Sequence, residues 1–181
     1  MCPKDLESKL EDHQGNKVTG VIVVDALGNP SGIMQLKEIC TAHGIPLIQD
    51  SACAIGSSVD GIKVGAIADL TCYSFHPRKL LTTGEGGAIL TNNAQYAKWL
   101  TVKLAAGASG IKGRGLDFVD YGYNYRLSEI QALMGWIQLQ KLDHITAERN
   151  TIANEYNALL GPLGFIRQKI DANVHHNIQS L

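Results

Sequence analysis

The sequence predicts an α/β fold, a mostly parallel sheet flanked by helices, and three observations predict it. Four short runs read as strands: "VTGVIVVDAL", whose continuous apolar character suits a strand buried on both faces, then "IPLIQDS", "DLTCYSF" and "GAILT". A segment with apolar residues at helical spacing separates the first two, and strand–helix–strand order implies right-handed parallel crossovers. Finally, 181 residues with 45% hydrophobic and 18% charged content suffice for one domain with a sizeable core.

"PKDLESKLED" predicts a short first helix, with Pro3 at its opening position and Leu6 and Leu10 one turn apart. After the first apolar run, Asn29-Pro30 breaks the chain. Ser31 can cap the next helix, whose apolar face is Ile33, Leu36, Ile39 and Cys40. Gly44 closes it at the position where left-handed backbone is common. Asn92 or Asn93 starts a helix that runs to about Ala105. Gly107 to Tyr125 is rich in glycine and weak in periodicity, so it reads as a loop, and a long one implies a functional or interface segment. Ser128 and Gln131 form a capping box for a helix with Leu127, Ile130, Met134 and Ile137 on one face. "ITAERNTIANEYNALL" is a second long helix. Gly161-Pro162 breaks it, "GFIRQKI" begins something new, and "HHNIQSL" resembles the opening of a strand.

Composition narrows the function. A formal net charge of -1 leaves no electrostatic footprint for nucleic acid or an acidic membrane surface. Runs such as Val21 to Val24 are far too short to span a bilayer, and the polar first twenty residues lack the apolar core of a secretory signal. Cys2, Cys40, Cys53 and Cys72 form no CxxC pair, so free thiols in a reducing, cytoplasmic setting are expected rather than disulfides or a metal site. There is no repeat and no low-complexity segment.

Chemistry concentrates at the predicted strand ends, where ligands bind in open α/β sheets. Asp25, Asp50 and Ser74 fall there, and each alone reads as a turn or cap residue. Lys79 alone reads as a surface lysine. The glycines 84, 86 and 87 alone read as a turn, since they match no phosphate-loop pattern. Together, an acid at one strand end, a serine at another and a lysine five residues past it suit pyridoxal phosphate. That cofactor needs a lysine amine, a carboxylate at its ring nitrogen, and hydroxyl and amide donors for its phosphate.

Three stretches make this specific: "IQDSACAIGS", "YSFHPRKLLTTGEGGAILTNN" and "DYGYNYRLSEIQALMGWIQLQKLDHI". In order and spacing they resemble the DegT/DnrJ/EryC1/StrS family over nearly the whole chain. The resemblance implies a fold-type-I, aspartate-aminotransferase-like large domain and an enzyme that transfers an amino group, with glutamate as donor, to a nucleotide-linked keto sugar. Lys79 matches the Schiff-base lysine and Asp50 the acid at the pyridine nitrogen. Ala52 matches the small residue against the ring, Ser74 a phosphate-binding hydroxyl, and Asn124 the asparagine that reaches the phosphate of a neighbouring subunit in a homodimer with shared sites. Cys53 occupies a position that commonly holds Gln or His and contacts the ring hydroxyl; a thiol is a poorer hydrogen-bonding group, and a buried small hydrophobe is an equal reading.

The resemblance also implies boundaries. Residues 1–160 match part of a cofactor-binding large domain, and residues 161–181 the start of a C-terminal small domain, so the chain reads as the middle of such an enzyme, cut at both ends. Nothing before Lys17 matches the family's Gly-Thr or Gly-Ser phosphate turn. Two other readings stand beside the aminotransferase. One is a fragment that folds, or binds cofactor, without turnover. The other is a sugar dehydratase, which the presence of Lys79 disfavours because such relatives carry histidine there.

Overall fold

The computed structural model describes residues 1–12, 17–113 and 115–180. Helix α1 (Pro3–Glu11) precedes strand β1 (Val21–Val24), helix α2 (Ile33–Ala42), strand β2 (Leu47–Asp50) and two short strands, β3 (Ser58–Val59) and β4 (Ile62–Lys63). Strands β5 (Leu70–Ser74) and β6 (Gly87–Leu90) lead to helix α3 (Ala94–Leu104), strands β7 (Ala108–Lys112) and β8 (Gly115–Phe118), helices α4 (Glu129–Leu139) and α5 (Leu142–Leu160), and a last short strand, β9 (Val174–His175).

The central sheet has the order β1-β2-β5-β6. Strands β1, β2 and β5 are parallel, with Val24 opposite Asp50 and Asp50 opposite Cys72. The expectation of parallel crossovers fails at one place: β6 runs antiparallel to β5. Residues 75–86 contain no helix, and a parallel return needs a crossover element. The α/β, mostly parallel architecture is otherwise the one expected.

Coverage of the sheet is one-sided among the described residues, whereas burial of β1 on both faces was expected. Leu6 and Leu10 of α1 and Ile33, Leu36 and Cys40 of α2 pack with Val21, Val23 and Leu47 in one cluster. Ile22 and Val24 point the other way and are exposed. By the same alternation Asp50, Cys72 and Ser74 share that open face. Lys37 of α2 donates to Asp69 at 2.7 Å, and Asp69 also accepts from Leu47 N at 2.8 Å, which fixes the helix to the lower sheet edge.

The glycine-rich stretch 107–125 is not the structureless loop expected. It carries the β7–β8 pair and is pinned to α3. Gly107 (φ +86) lies where a Cβ would overlap the Asp120 carbonyl. Lys103, buried on α3, pairs with Asp120 at 2.7 Å and donates to Tyr121 O at 3.1 Å. This hydrogen-bonded lysine holds the Asp120 carboxyl below the usual carboxylate range. Glycines at 107, 110 and 113 interrupted the alternation that would have signalled strands.

The capping box at Ser128 and Gln131 is present at the start of α4. The second long helix starts earlier than expected, at Leu142. "GFIRQKI" forms no helix or strand. Of "HHNIQSL" only His175 lies in a strand, paired with Ser58; from His176 to Gln179 the chain turns inward. Among the described residues no helix is long and apolar enough to cross a membrane.

Candidate active site

The site gathers where β2 and β5 end. Asp50 closes β2, and its Oδ1 accepts from Ala52 N at 3.1 Å, an Asx-type turn that folds the chain sharply after the strand. Ala52 and Cys53 follow in that turn, half-buried. Ser74 closes β5 on the same face, and its Oγ accepts from His76 N at 3.3 Å. That bond starts the turn that carries Lys79, whose own N–H donates to His76 O at 2.9 Å. The Lys79 ammonium lies 3.1 Å from Cys53 Sγ. An amine is therefore brought back from the β5 turn onto the turn after β2.

The structure thus brings together Asp50, Ala52, Cys53, Ser74 and Lys79. It does not bring Asn124 to them. Asn124 is exposed, its Oδ1 accepts from Arg126 Nε at 2.8 Å, and its backbone bridges Ala105 after α3. Tyr123 and Tyr125 stack beside it with ring centroids 5.3 Å apart.

Beneath Asp50, on the covered face, lies a polar layer that the apolar run of β1 did not announce. Asp25 is 2% exposed and accepts from Ser51 Oγ at 2.6 Å and Gln49 Nε2 at 2.9 Å. Burial pushes its carboxyl up to about 6; the Ser51 and Gln49 bonds oppose that rise, and the nearby Asp50 charge adds to it. Gln49 Oε1 is buried without a partner.

A second group was not foreseen from the sequence at all. Asn177 is fully buried and its Nδ2 donates to Cys53 O and Ile55 O, both at 2.8 Å, while its N–H donates to Ser57 Oγ at 3.1 Å. Gln179 Oε1 accepts from Leu80 N at 3.1 Å and its Nε2 donates to Arg78 O at 2.9 Å. Arg149 of α5 donates to Ile178 O at 2.6 Å and Gln179 O at 3.1 Å. Gly28 (φ +95) leaves room for this arrangement, since a Cβ there would overlap Asn177 Oδ1 and stand 2.7 Å from Cys53 O. The only signal in the sequence was an asparagine and a glutamine two residues apart in an otherwise strand-like segment.

The donor set fits pyridoxal phosphate: a primary amine, a carboxylate and a hydroxyl at adjacent strand ends on one open face. Among the described residues no group of three or more His, Cys, Asp or Glu could hold a metal ion. The four cysteines are free; Cys40 is buried and Cys2 exposed.

The family model of the DegT/DnrJ/EryC1/StrS aminotransferase family matches residues 1–181. A UDP-4-amino-4,6-dideoxy-N-acetyl-beta-L-altrosamine transaminase of Campylobacter jejuni is 38% identical over 156 residues, 85% of this chain and 41% of its own. A GDP-perosamine synthase of Vibrio cholerae is 34% identical over 164 residues, 88% of this chain and 44% of its own. Among solved structures, a DegT DnrJ EryC1 StrS aminotransferase from Brucella abortus superposes with a TM-score of 0.88 at 28% identity, covering 99% of this chain and 48% of that one. The chain spans less than half the length of these relatives.

Proposed function

The chain belongs to the DegT/DnrJ/EryC1/StrS aminotransferase family, and from that premise we propose that it carries the pyridoxal-phosphate centre of an aminotransferase acting on a nucleotide-linked keto sugar, with glutamate as amino donor. The relatives' names support the substrate class: a UDP-linked amino sugar transaminase and a GDP-perosamine synthase. One observation carries the reading. Lys79 Nζ, five residues past Ser74, is held 3.1 Å from the Cys53 thiol in the turn that Asp50 begins.

Pyridoxal phosphate, when bound, supplies an electron sink for charge that develops on the substrate carbon. Lys79 holds the cofactor covalently through Nζ and, once substrate takes its place, moves a proton at Nζ to and from the reacting carbon. Asp50 holds the proton on the cofactor's ring nitrogen. Ala52 offers a small side chain that lets the ring approach the turn, and Ser74 donates its hydroxyl to the phosphate. Cys53 Sγ, 3.1 Å from Lys79 Nζ, would orient that amine whenever it is not bonded to the cofactor.

We assign Asn124 to the phosphate of a second copy's site, so that the active form is a homodimer. The surface around Asn124 supports this. Leu127, just before α4, and Gly135 on it face the 82–86 turn, and Gln131 and Gln138 of α4 are hydrogen-bonded to it. Apart from Glu129, the rest of the helix is apolar and uncovered: Ile130 is 76% exposed and Trp136 61%. Residues 161–181 open a second, smaller domain in this reading, and a cytoplasmic setting follows from the nucleotide-sugar substrate.

The test is borohydride trapping in the presence of pyridoxal phosphate, followed by peptide mapping. The cofactor should be found on Lys79, and Lys79→Ala should lose the trapped cofactor and at least about a thousandfold of transamination. Cofactor trapped on another lysine, with Lys79 unlabelled, overturns the assignment.

A further inference from the structure

Lys79 projects from a turn, and turns are soft unless something outside them fixes the peptide. The bonds within this turn, Ser74 Oγ with His76 N and Lys79 N with His76 O, are local. Beside the contact of Lys79 Nζ with Cys53, one carboxamide holds the turn's backbone from outside. Gln179 accepts from Leu80 N and donates to Arg78 O, so it spans the residue before and the residue after Lys79. A glutamine used this way behaves as a length of partner strand. It sets the two peptide planes on either side of Lys79 and hence the direction of its Cα–Cβ bond.

The other end of the same segment grips the other half of the site. Asn177 donates to Cys53 O and Ile55 O. Between the two, Ile178 is 6% exposed with φ 53, a left-handed conformation that a β-branched residue rarely adopts. The kink aims both amides at the site: Gln179 N donates to Asn177 Oδ1 at 3.1 Å, and Arg149 locks the carbonyls of residues 178 and 179. Strain held by a half-buried arginine at a functional turn indicates that the geometry serves the site.

We infer that Gln179 is the positioning residue of Lys79: it holds the lysine's peptide in register with the Cys53 turn, so that Nζ presents to the cofactor's carbonyl carbon. This inference rests on Lys79 as the cofactor lysine, and it extends that reading by joining the 177–179 segment to the chemistry.

Three variants of the full chain test it: Gln179→Leu, which removes both bonds; Gln179→Asn, which keeps the amide but shortens its reach; and Gln179→Glu, which keeps only the acceptor for Leu80. Two quantities are read besides thermal stability. One is hydrogen exchange of the Leu80 amide against the amides of β1 and β2. The other is the share of borohydride-trapped pyridoxal phosphate found on Lys79 relative to the other lysines of the same molecule. Loss of one or two neutral hydrogen bonds should speed Leu80 exchange and lower the Lys79 share by about tenfold in Gln179→Leu and Gln179→Asn. The glutamate variant should fall between these and the parent, with β1 and β2 unchanged throughout. If Gln179→Leu does not fold, Gln179→Asn decides. Parental Lys79 labelling and Leu80 protection in the folded variants would overturn the positioning role and leave Lys79 as the cofactor lysine. Label on another lysine in the parent itself overturns the Lys79 reading, and this inference with it.

Discussion

Two regions of the molecule handle their polar and apolar groups in opposite ways. The Lys79 cradle is closed on itself: the turns after β2 and β5 are held by the buried Asn177, by Gln179 and, behind them, by Arg149. The surface built by the end of β8, the tyrosines 121, 123 and 125 and α4 is open: Phe118 is 62% exposed and Tyr125 68%. In the first region the Asn177 and Gln179 amides are spent on the backbone of the site's own turns. The second shows a broad apolar patch of the kind that marks a protein interface. In the proposed reading the cofactor lysine and the assembly surface sit on different elements, joined by the bonds from Gln131 to Glu85 O and from Thr82 N to Gln138 Oε1.

The largest effect should come from dividing the two regions between subunits. Lys79→Ala disables the cradle and Asn124→Ala the open surface, each expected to be nearly inactive alone. In mixed homodimers with shared sites, one site collects both lesions and the other neither. Random exchange should therefore return roughly a quarter of the parental activity, as half the dimers are mixed and half their sites intact. No recovery, with both variants folded and shown to exchange subunits, would mean that Asn124 serves only its own chain.

A smaller effect should follow from opening the cradle itself. Asn177→Ala removes both amide donors from Cys53 O and Ile55 O and the acceptor for Gln179 N, leaving carbonyls buried without partners. A destabilisation of roughly 4 kcal/mol is expected from three lost bonds with unsatisfied partners. Chemical denaturation checks it: a midpoint close to the parent's would show that the 177–179 segment lies on the cradle without holding it.

The legibility of the two regions in the sequence differs for the same physical reasons. Strand ends and caps are local, and local chemistry is readable in part: the capping box at Ser128 and the Asn93 cap of α3 appeared as expected, whereas Ser31 donates to Asn29 and the cap of α2 is Gly32, with no side-chain bond. Whether β6 returns parallel or antiparallel depended on a helix that was absent from the connection. The β7–β8 pair was hidden because its glycines supply no side-chain alternation, and it is held instead by Lys103 from α3. Asn177 and Gln179 act across long stretches of chain on Cys53 and Leu80, with separations of 124 and 99 residues. No periodicity within a short segment encodes a partner that distant.

The smallest effect concerns the polar layer under the cradle, and it is a matter of pH. Asp25 is almost fully buried, and its carboxyl is pushed up to about 6 from an ordinary value of 3.8. The folded state therefore binds a proton more tightly than the unfolded chain between those two values. The contribution of Asp25 to stability is fully present below about pH 4 and is lost as pH rises through 6, where a buried carboxylate must be kept charged. A displacement of this size corresponds to at most about 3 kcal/mol, and less after the structure relaxes around the charge. In Asp25→Asn the amide oxygen can still accept from Ser51, and its new N–H can donate to Gln49 Oε1 once that carboxamide turns over, which gives the unpartnered oxygen a donor. The variant should therefore match the parent near pH 4 and exceed it by about 1 to 2 kcal/mol at pH 7 to 8. Urea denaturation across that range measures the difference directly. A gap that stays constant with pH, or that favours the parent at pH 8, would show that Asp25 is stabilised as a carboxylate and that the layer under the cradle is built for charge.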